Sequence, residues 1–540
     1  MPAAATCQGE VALDLATLAA DPTGALKAGL DWPTPYADYG FLSKALVDEV
    51  AAGAREGAET PELKAAVEAK LYDMVTDLAV IGRLALDLRH MRESGRRPLY
   101  SPADSAWLHF LNQAGTDANG AVGQRAWHHR RAVDRLSELK RRLKRWHSDS
   151  RATLTPSAGR FDLLSRNPLM DQYLAVNHAR RVDISPNYRD WPPPSETPAP
   201  VKGVAAAMTE TFSKLAVRAT GDDPALRASA EALARAMIAD HLAKAWRDLE
   251  RVRGLFGRRR AGAVLAGGTP KHIGRLIAWR YKELGRAVYR FAHGGERAFY
   301  DDYAWGLAEL PGCDRYFCHS RAEATHIARR LAEGRMAPAG PADVAFEGLG
   351  SQRHRAIRAA LEGRKRGPRG GAVMYVAGGY LGEELGDFPA RKPPDPLYFE
   401  WQAWLLATIR GLGFKMVTKV HPKGVLRQDL LLRPFSDEVL GGTFDAVSHD
   451  QADCYLFDFA GTAFFDALAS DRGIVLIDMG VRPKDANAFD DLKLRCEVVS
   501  CIPGSGNRFR VDTDRLGEAI ERAAATRSWP EPFFETYFHG

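Results

Sequence analysis

The chain has 540 residues, of which 45% are hydrophobic and 26% charged, with a mean hydropathy of -0.30. At roughly 100–200 residues per domain this suits two or three packed domains and excludes a disordered or fibrous polypeptide. Lys+Arg 74 against Asp+Glu 68 leaves a net charge of +6, a mild bias that permits anionic ligands or lipid surfaces and does not argue for nucleic acid.

No stretch approaches the roughly 18 uncharged apolar residues of a membrane span, and residues 1–21 lack the basic cluster and apolar run of a signal peptide. The six cysteines, Cys7, Cys313, Cys318, Cys454, Cys496 and Cys501, form no Cys-x-x-Cys and no zinc spacing, so the expectation is a reduced, cytoplasmic protein. There is no internal repeat of fixed period.

Residues 1–260 read as a mostly helical region that can include the start of the first sheet domain. Thr60-Pro61-Glu62 supplies an N-cap and a proline at the first helical position. Leu71, Met74, Leu78, Ile81 and Leu84 then recur at spacings of three and four, the mark of a helix face. Residues 121–260 also read as helical but basic. The segment 124–147 carries nine Arg or Lys residues against Asp134 and Glu138, with Leu136, Leu139, Leu143 and Trp146 along it. Its expected roles are a solvated helix or, next, weak salt-sensitive docking on an anionic membrane. The proline-rich stretch 191–200 reads as a linker or an extended arm, and Asp222-Asp223-Pro224 opens a further long helix.

From residue 261 the period changes. Short apolar runs at 263–266, 287–291 and 316–318 alternate with a helical stretch at 270–284, which is the grammar of a parallel sheet with crossover helices. Residues 261–362 are therefore one expected sheet domain. The basic, glycine-rich segment 363–371 reads as a linker. Residues 372–540 read as a second sheet domain, with strands at 373–377, 415–420, 454–457 and 473–477 and helices at 397–412 and 462–469. Two such domains would place a cleft between their strand ends, where ligands of parallel sheets bind.

The chemistry-bearing residues fall at those strand ends. Lys419 and His421 flank the end of one strand, and Asp458-Phe459-Ala460-Gly461-Thr462 follows another and opens a helix. An imidazole, an ammonium, a glycine and a hydroxyl at a helix start suit an anionic phosphate. Gly378 and Gly379 follow a strand without matching Gly-x-Gly-x-x-Gly, so they suggest a loop at the cleft mouth rather than a dinucleotide fingerprint. In the first sheet domain His293-Gly294-Gly295 follows a strand, with Glu296, Asp301 and Asp302 beyond it. A histidine there can act as a base near neutral pH.

Lys419-Val420-His421-Pro422, the run from Asp458 to Leu468, and Gly473-Ile474-Val475-Leu476-Ile477-Asp478 together resemble the C-terminal half of bacterial GT-B surface-glycan transferases. These are the capsule Kdo transferases, polysialyltransferases and CDP-glycerol glycerophosphotransferases. His293-Gly294 resembles the His-Gly turn of their N-terminal half. The likeness spans residues 261–500, and the first 250 match nothing placed. Gly461-Thr462 stands where those families carry Ser-Ser or Ser-Thr, one hydroxyl fewer.

The resemblance implies an α/β, GT-B-like fold: two Rossmann-like parallel-sheet domains facing a cleft, with a large helical N-terminal region. It implies a glycosyltransferase of capsule or lipopolysaccharide assembly that moves an ulosonic acid, Kdo or sialic-like, from a CMP-activated donor to a glycan hydroxyl. Lys419, His421, Asp458, Gly461, Thr462, Gly378 and Gly379 would bind the donor. His293, Glu296 or Asp301 would take the acceptor proton if configuration inverts. No cofactor beyond the nucleotide-linked donor and no metal is expected, since no Asp-x-Asp stands at a strand end. Partners would be the donor and a glycan or lipid-linked glycan acceptor, without nucleic acid, in the cytoplasm or peripheral at the inner membrane. Other readings are a CDP-polyol phosphotransferase and a non-catalytic nucleotide- or glycan-binding scaffold.

Overall fold

The computed structural model describes residues 9–24, 30–113, 160–177, 180–183, 199–256, 262–268, 271–337, 343–362, 371–380, 392–422, 428–444, 451–526 and 531–539. The basic segment 124–147, most of the proline-rich stretch and nearly all of the 363–371 linker lie outside them.

A short parallel pair, β1 (Glu10–Ala12) and β2 (Arg97–Leu99), opens the fold. The first large sheet holds β3 (Arg160–Ser165), β4 (Arg180–Asp183), β5 (Ala263–Gly267), β6 (Ala287–Phe291), β7 (Arg315–Cys318) and β8 (Ala345–Gly348). They lie in the order β4-β3-β5-β6-β7-β8, each parallel to its neighbours. The second holds β9 (Ala372–Val376), β10 (Lys415–Lys419), β11 (Glu438–Leu440), β12 (Cys454–Phe457), β13 (Gly473–Asp478) and β14 (Glu497–Ser500). Their order is β11-β10-β9-β12-β13-β14, again all parallel. The protein thus has the expected α/β architecture of two Rossmann-like parallel sheets. A small antiparallel pair, β15 (Ile502–Pro503) and β16 (Phe509–Arg510), follows.

β12 and β13 are buried along their whole length, which is why they read as near-continuous apolar runs. In the second sheet the chain steps outward from β9 to β10 and β11, then returns to β12 on the other side of β9. That reversal leaves a crevice beyond the carboxyl ends of β9 and β12, the place where doubly wound sheets take ligands.

Residues 160–183 correct the reading of 121–260 as helical, because β3 and β4 are the first two strands of the first sheet. Asp162 breaks the apolar pattern of β3. It is buried and accepts a hydrogen bond from Tyr281 Oη on the helix His272–Glu283.

The helical region is fastened to both sheets. In the helix Pro61–Glu93, Thr60 Oγ1 caps the start by accepting from the Leu63 amide at 3.2 Å. That helix packs against the helices Ala199–Thr220 and Pro224–Phe256, and together with the latter against the helix His272–Glu283 of the first sheet domain. Buried Arg275 clamps that contact, donating to Ala69 O at 2.7 Å and Asp73 Oδ1 at 2.8 Å. Towards the second sheet, the Trp32 amide donates to Gly506 O and Asn507 Nδ2 donates to Trp32 O, both at 2.9 Å.

At the other end of the chain the helix Glu531–Phe538 crosses back to the first sheet. The Ser351 amide donates to Phe538 O at 2.8 Å, and the Tyr537 ring lies 5.0 Å from that of Phe299. The last residues of the 372–540 stretch therefore pack outside the second sheet.

Trp32 is the anchor of the N-terminal strap. Its indole donates to Tyr39 Oη at 2.8 Å, and Tyr39 Oη and Thr34 Oγ1 donate to buried Asp87 at 2.5 and 2.6 Å. Trp32→Ala should cost about 3–5 kcal/mol, the usual loss for a fully buried aromatic. A lowered urea midpoint checks this, and an unchanged one would show that the strap carries no stability.

Candidate active site

A cavity of about 530 Å³ lies beyond the carboxyl ends of β9, β10, β12 and β13, closed on its other side by His293, Glu296 and Tyr300 of the first sheet domain. Most of the residues singled out in the sequence line it: His293, Glu296, Gly378, Gly379, Lys419, His421, Asp458, Gly461 and Thr462.

Asp301 does not. It pairs with Arg330 at 3.0 Å and with Arg335, and its amide donates to Pro483 O at 2.8 Å. Asp302 is likewise taken, by Arg297 Nη1 at 2.7 Å. Both carboxylates are committed to holding the loop after β6, so Asp301 leaves the set of candidate bases.

Asp458 lines the cavity but its carboxylate is occupied. It accepts from Tyr375 Oη at 2.6 Å, Trp401 Nε1 at 2.8 Å and Tyr398 Oη at 3.0 Å. Burial raises its pKa and the three donors oppose that rise. It positions the turn 459–462 rather than offering an oxygen to a ligand. Its three donors, from β9 and the helix Asp395–Gly411, were not foreseen in the sequence.

Lys419 is 2% exposed. Its ammonium donates to Val420 O at 2.7 Å and Gly442 O at 2.6 Å, which joins the ends of β10 and β11. No carboxylate pairs with it among the described residues, and burial lowers its pKa. A buried cation hydrogen-bonded only to carbonyls, on a cavity wall, favours an anion beside it.

His421 stands next to it. Its amide donates to Gln428 Oε1 at 2.9 Å, and Gln428 Nε2 donates to Gly378 O at 2.7 Å, so one buried side chain ties the loops after β9 and β10. A Cβ on Gly379 would come within 2.8 Å of His421 Nδ1, which is why glycine is needed there.

Gly461 and Thr462 begin the helix Thr462–Leu468, which has only seven residues. Its macrodipole is correspondingly slight. What the turn offers is the Thr462 hydroxyl and first-turn amides that lack intrahelical acceptors.

The two halves of the cavity touch through the turn His293-Gly294-Gly295. A Cβ on Gly295 would overlap the Phe465 ring, and one on Gly294 would sit 3.1 Å from Thr462 Oγ1. These glycines admit the neighbouring domain. Arg353 reinforces the contact with two hydrogen bonds to Asp466, at 2.7 and 3.1 Å, and His354 Nε2 lies 3.1 Å from the same carboxylate.

His293 is exposed to the cavity. Burial works against ionisation of Glu296, but Arg297 and Arg482 outweigh it and hold its pKa below the usual range. Glu296 Oε2 is buried without a hydrogen-bond partner. Arg482 is the main cavity residue that sequence reading missed. Its guanidinium lies 4.4 Å from the Tyr300 ring centroid and 4.8 Å from that of Phe459. It sits four residues past β13, so following the strand-end rule one loop further would have reached it. Among the described residues no group of His, Cys, Asp or Glu is arranged to hold a metal ion.

Behind Glu296 lie two buried titratable groups, one in the turn after β7 and one on the helix Arg321–Ala332 that follows. Burial pushes Glu323 up to about 8 and His319 down to about 3. The His319 amide donates to Glu323 Oε2 at 2.7 Å.

No protein-family model matches the chain, and no curated protein matches it. Among solved structures it is similar to that of Phytolacca americana UGT2 complexed with UDP-2fluoro-glucose and pterostilbene. The two are 10% identical over 67% of this chain and 82% of that one, with a TM-score of 0.30, a likeness too slight to bear on function.

The buried pair gives stability a pH dependence whose sign follows from proton counts. Between about pH 7 and 8 the folded state holds a proton on Glu323 that the unfolded chain has released, while His319 is neutral in the folded state and mostly neutral in the unfolded one. Stability should therefore fall as pH rises through that window. Glu323→Gln should flatten the slope, read from urea midpoints across the window. An equal slope in the variant would place the dependence elsewhere.

Proposed function

We propose that the protein is a glycosyltransferase that moves a sugar from a nucleotide-linked donor to a glycan hydroxyl, with a CMP-linked ulosonic acid as donor in bacterial surface-polysaccharide assembly. The observation that supports it is the convergence of Lys419, His421 and the Gly461-Thr462 turn on one cavity at the strand-order reversal of the second sheet, opposite His293 and Glu296 of the first. The choice of CMP and of an ulosonic acid rests on the resemblance of the Lys-x-His-Pro strand end and the Asp458–Thr462 turn.

On this reading His293 removes the acceptor proton as the hydroxyl oxygen attacks the anomeric carbon. The bond from that carbon to the phosphate oxygen breaks, and its electron pair leaves on the phosphate. Lys419, His421 and the amides and hydroxyl at Thr462 stabilise the charge that develops there. Transfer with these protein cations needs no metal. The acceptor is a glycan or a lipid-linked glycan. Among the described residues no helix is long and apolar enough to cross a membrane, and attachment at the inner membrane would fall to the basic segment 124–147.

Two variants separate binding from chemistry. His421→Ala should weaken CMP binding by about 1.5–3 kcal/mol in calorimetry, the worth of a charge-assisted hydrogen bond. His293→Ala should keep CMP affinity and lose turnover by about 10²–10⁴, as for a positioned general base. Unchanged CMP affinity in His421→Ala would remove the phosphate from that strand end, and full activity in His293→Ala would pass the base role to Glu296.

A further inference from the structure

A second cavity, of about 250 Å³, adjoins the first, and Arg482 lines both. One wall of it belongs to the first sheet domain, through Asp301, Asp302 and Tyr303, and another to the helix Lys44–Glu56 of the N-terminal region, through Lys44 and Val47. The loops between the cavities are tied together. Tyr300 and Lys484 form an isolated β-bridge, and the Asp301 amide donates to Pro483 O at 2.8 Å. Tyr303 is set in place by Lys44, which donates to its Oη at 3.2 Å and lies 4.3 Å from its ring centroid, and by a hydrogen bond from that hydroxyl to Asp48.

The geometry points to an acceptor subsite here: a sugar ring of the acceptor lies against Tyr303, with Arg482 between it and the main cavity. The inference rests on the glycosyltransferase reading of the main cavity. The chemistry of the wall supports a saccharide. The Tyr303 ring offers apolar surface for the C–H face of a pyranose. The carboxylates and cations around them are already paired, Asp301 with Arg335, Asp302 with Arg297 and Lys44 with Asp48. Such pairs present hydrogen-bonding edges to hydroxyls without a net charge that would demand an ionic ligand. This gives the N-terminal helical region a part in the reaction, as a wall for the acceptor.

The test uses the full chain and methyl β-D-glucopyranoside as the probe, followed by saturation-transfer NMR with and without saturating CMP. Tyr303→Ala removes the ring, and Ser43→Trp, at a half-buried position on the same wall, fills the space. Each should reduce the saturation signal by roughly tenfold while CMP affinity by calorimetry stays within about twofold of the wild type. An undiminished signal in a folded Ser43→Trp protein, or no signal in the wild type, would overturn the subsite. A wild type that gives the glycoside signal, loses it in both variants and binds no CMP would support the subsite while overturning the donor reading.

Discussion

The candidate site depends on one close approach between the two sheet domains. Phe465, on the short helix after β12, packs against Gly295 where any side chain would collide. Because the ring occupies that space, Thr462 at the start of the same helix is brought beside Gly294, and His293 is carried to the cavity wall. The bond pair between Arg353 and Asp466 fixes the same helix from the other side. Groups from different parts of the chain thereby share one space of defined width, which is what two-substrate chemistry requires.

Within that space the polar groups divide into those that hold the frame and those that are left to act. Asp458, Gln428 and Lys392 are spent on loops: Lys392 donates to Gly379 O at 2.5 Å and Asp395 Oδ1 at 2.7 Å. Asp301 and Asp302 are spent on arginines. Lys419, Glu296 and Arg482 line the cavity, and the first and last are cations. A site with two buried cations on one side and a carboxylate and imidazole on the other suits an anionic leaving group facing a proton acceptor.

Much of this was legible in the chain. β12 is a bounded apolar run, β13 is apolar up to its last residue, Asp478, and β5 and β6 are short, mainly apolar segments on either side of a helical period, so both sheets could be read locally. The edge strands β8, β11 and β14 are short and partly exposed, so no apolar run marks them. β3 was hidden by Asp162, whose burial is satisfied by Tyr281 more than a hundred positions away. The strand-end rule located His421, Lys419 and the Gly461-Thr462 turn without any contact information. It could not tell that Asp458 faces three donors, or that Asp301 is held by Arg330 and Arg335, because those partners come from distant elements that only the fold assembles. For the same reason the role of Gly294 and Gly295 could not be read: a glycine that admits a ligand and one that admits a neighbouring ring look alike in sequence.

On the proposed function, the crevice beyond β9 and β12 is a nucleotide site closed by the first sheet domain. Hydrogen exchange of the full chain with and without CMP tests it most directly. Bound CMP should slow exchange at the amides of 377–380, 420–421 and 460–463, together with 294–296 across the cleft. Slowed exchange confined to other parts of the molecule, or none with CMP shown to be bound, would contradict it.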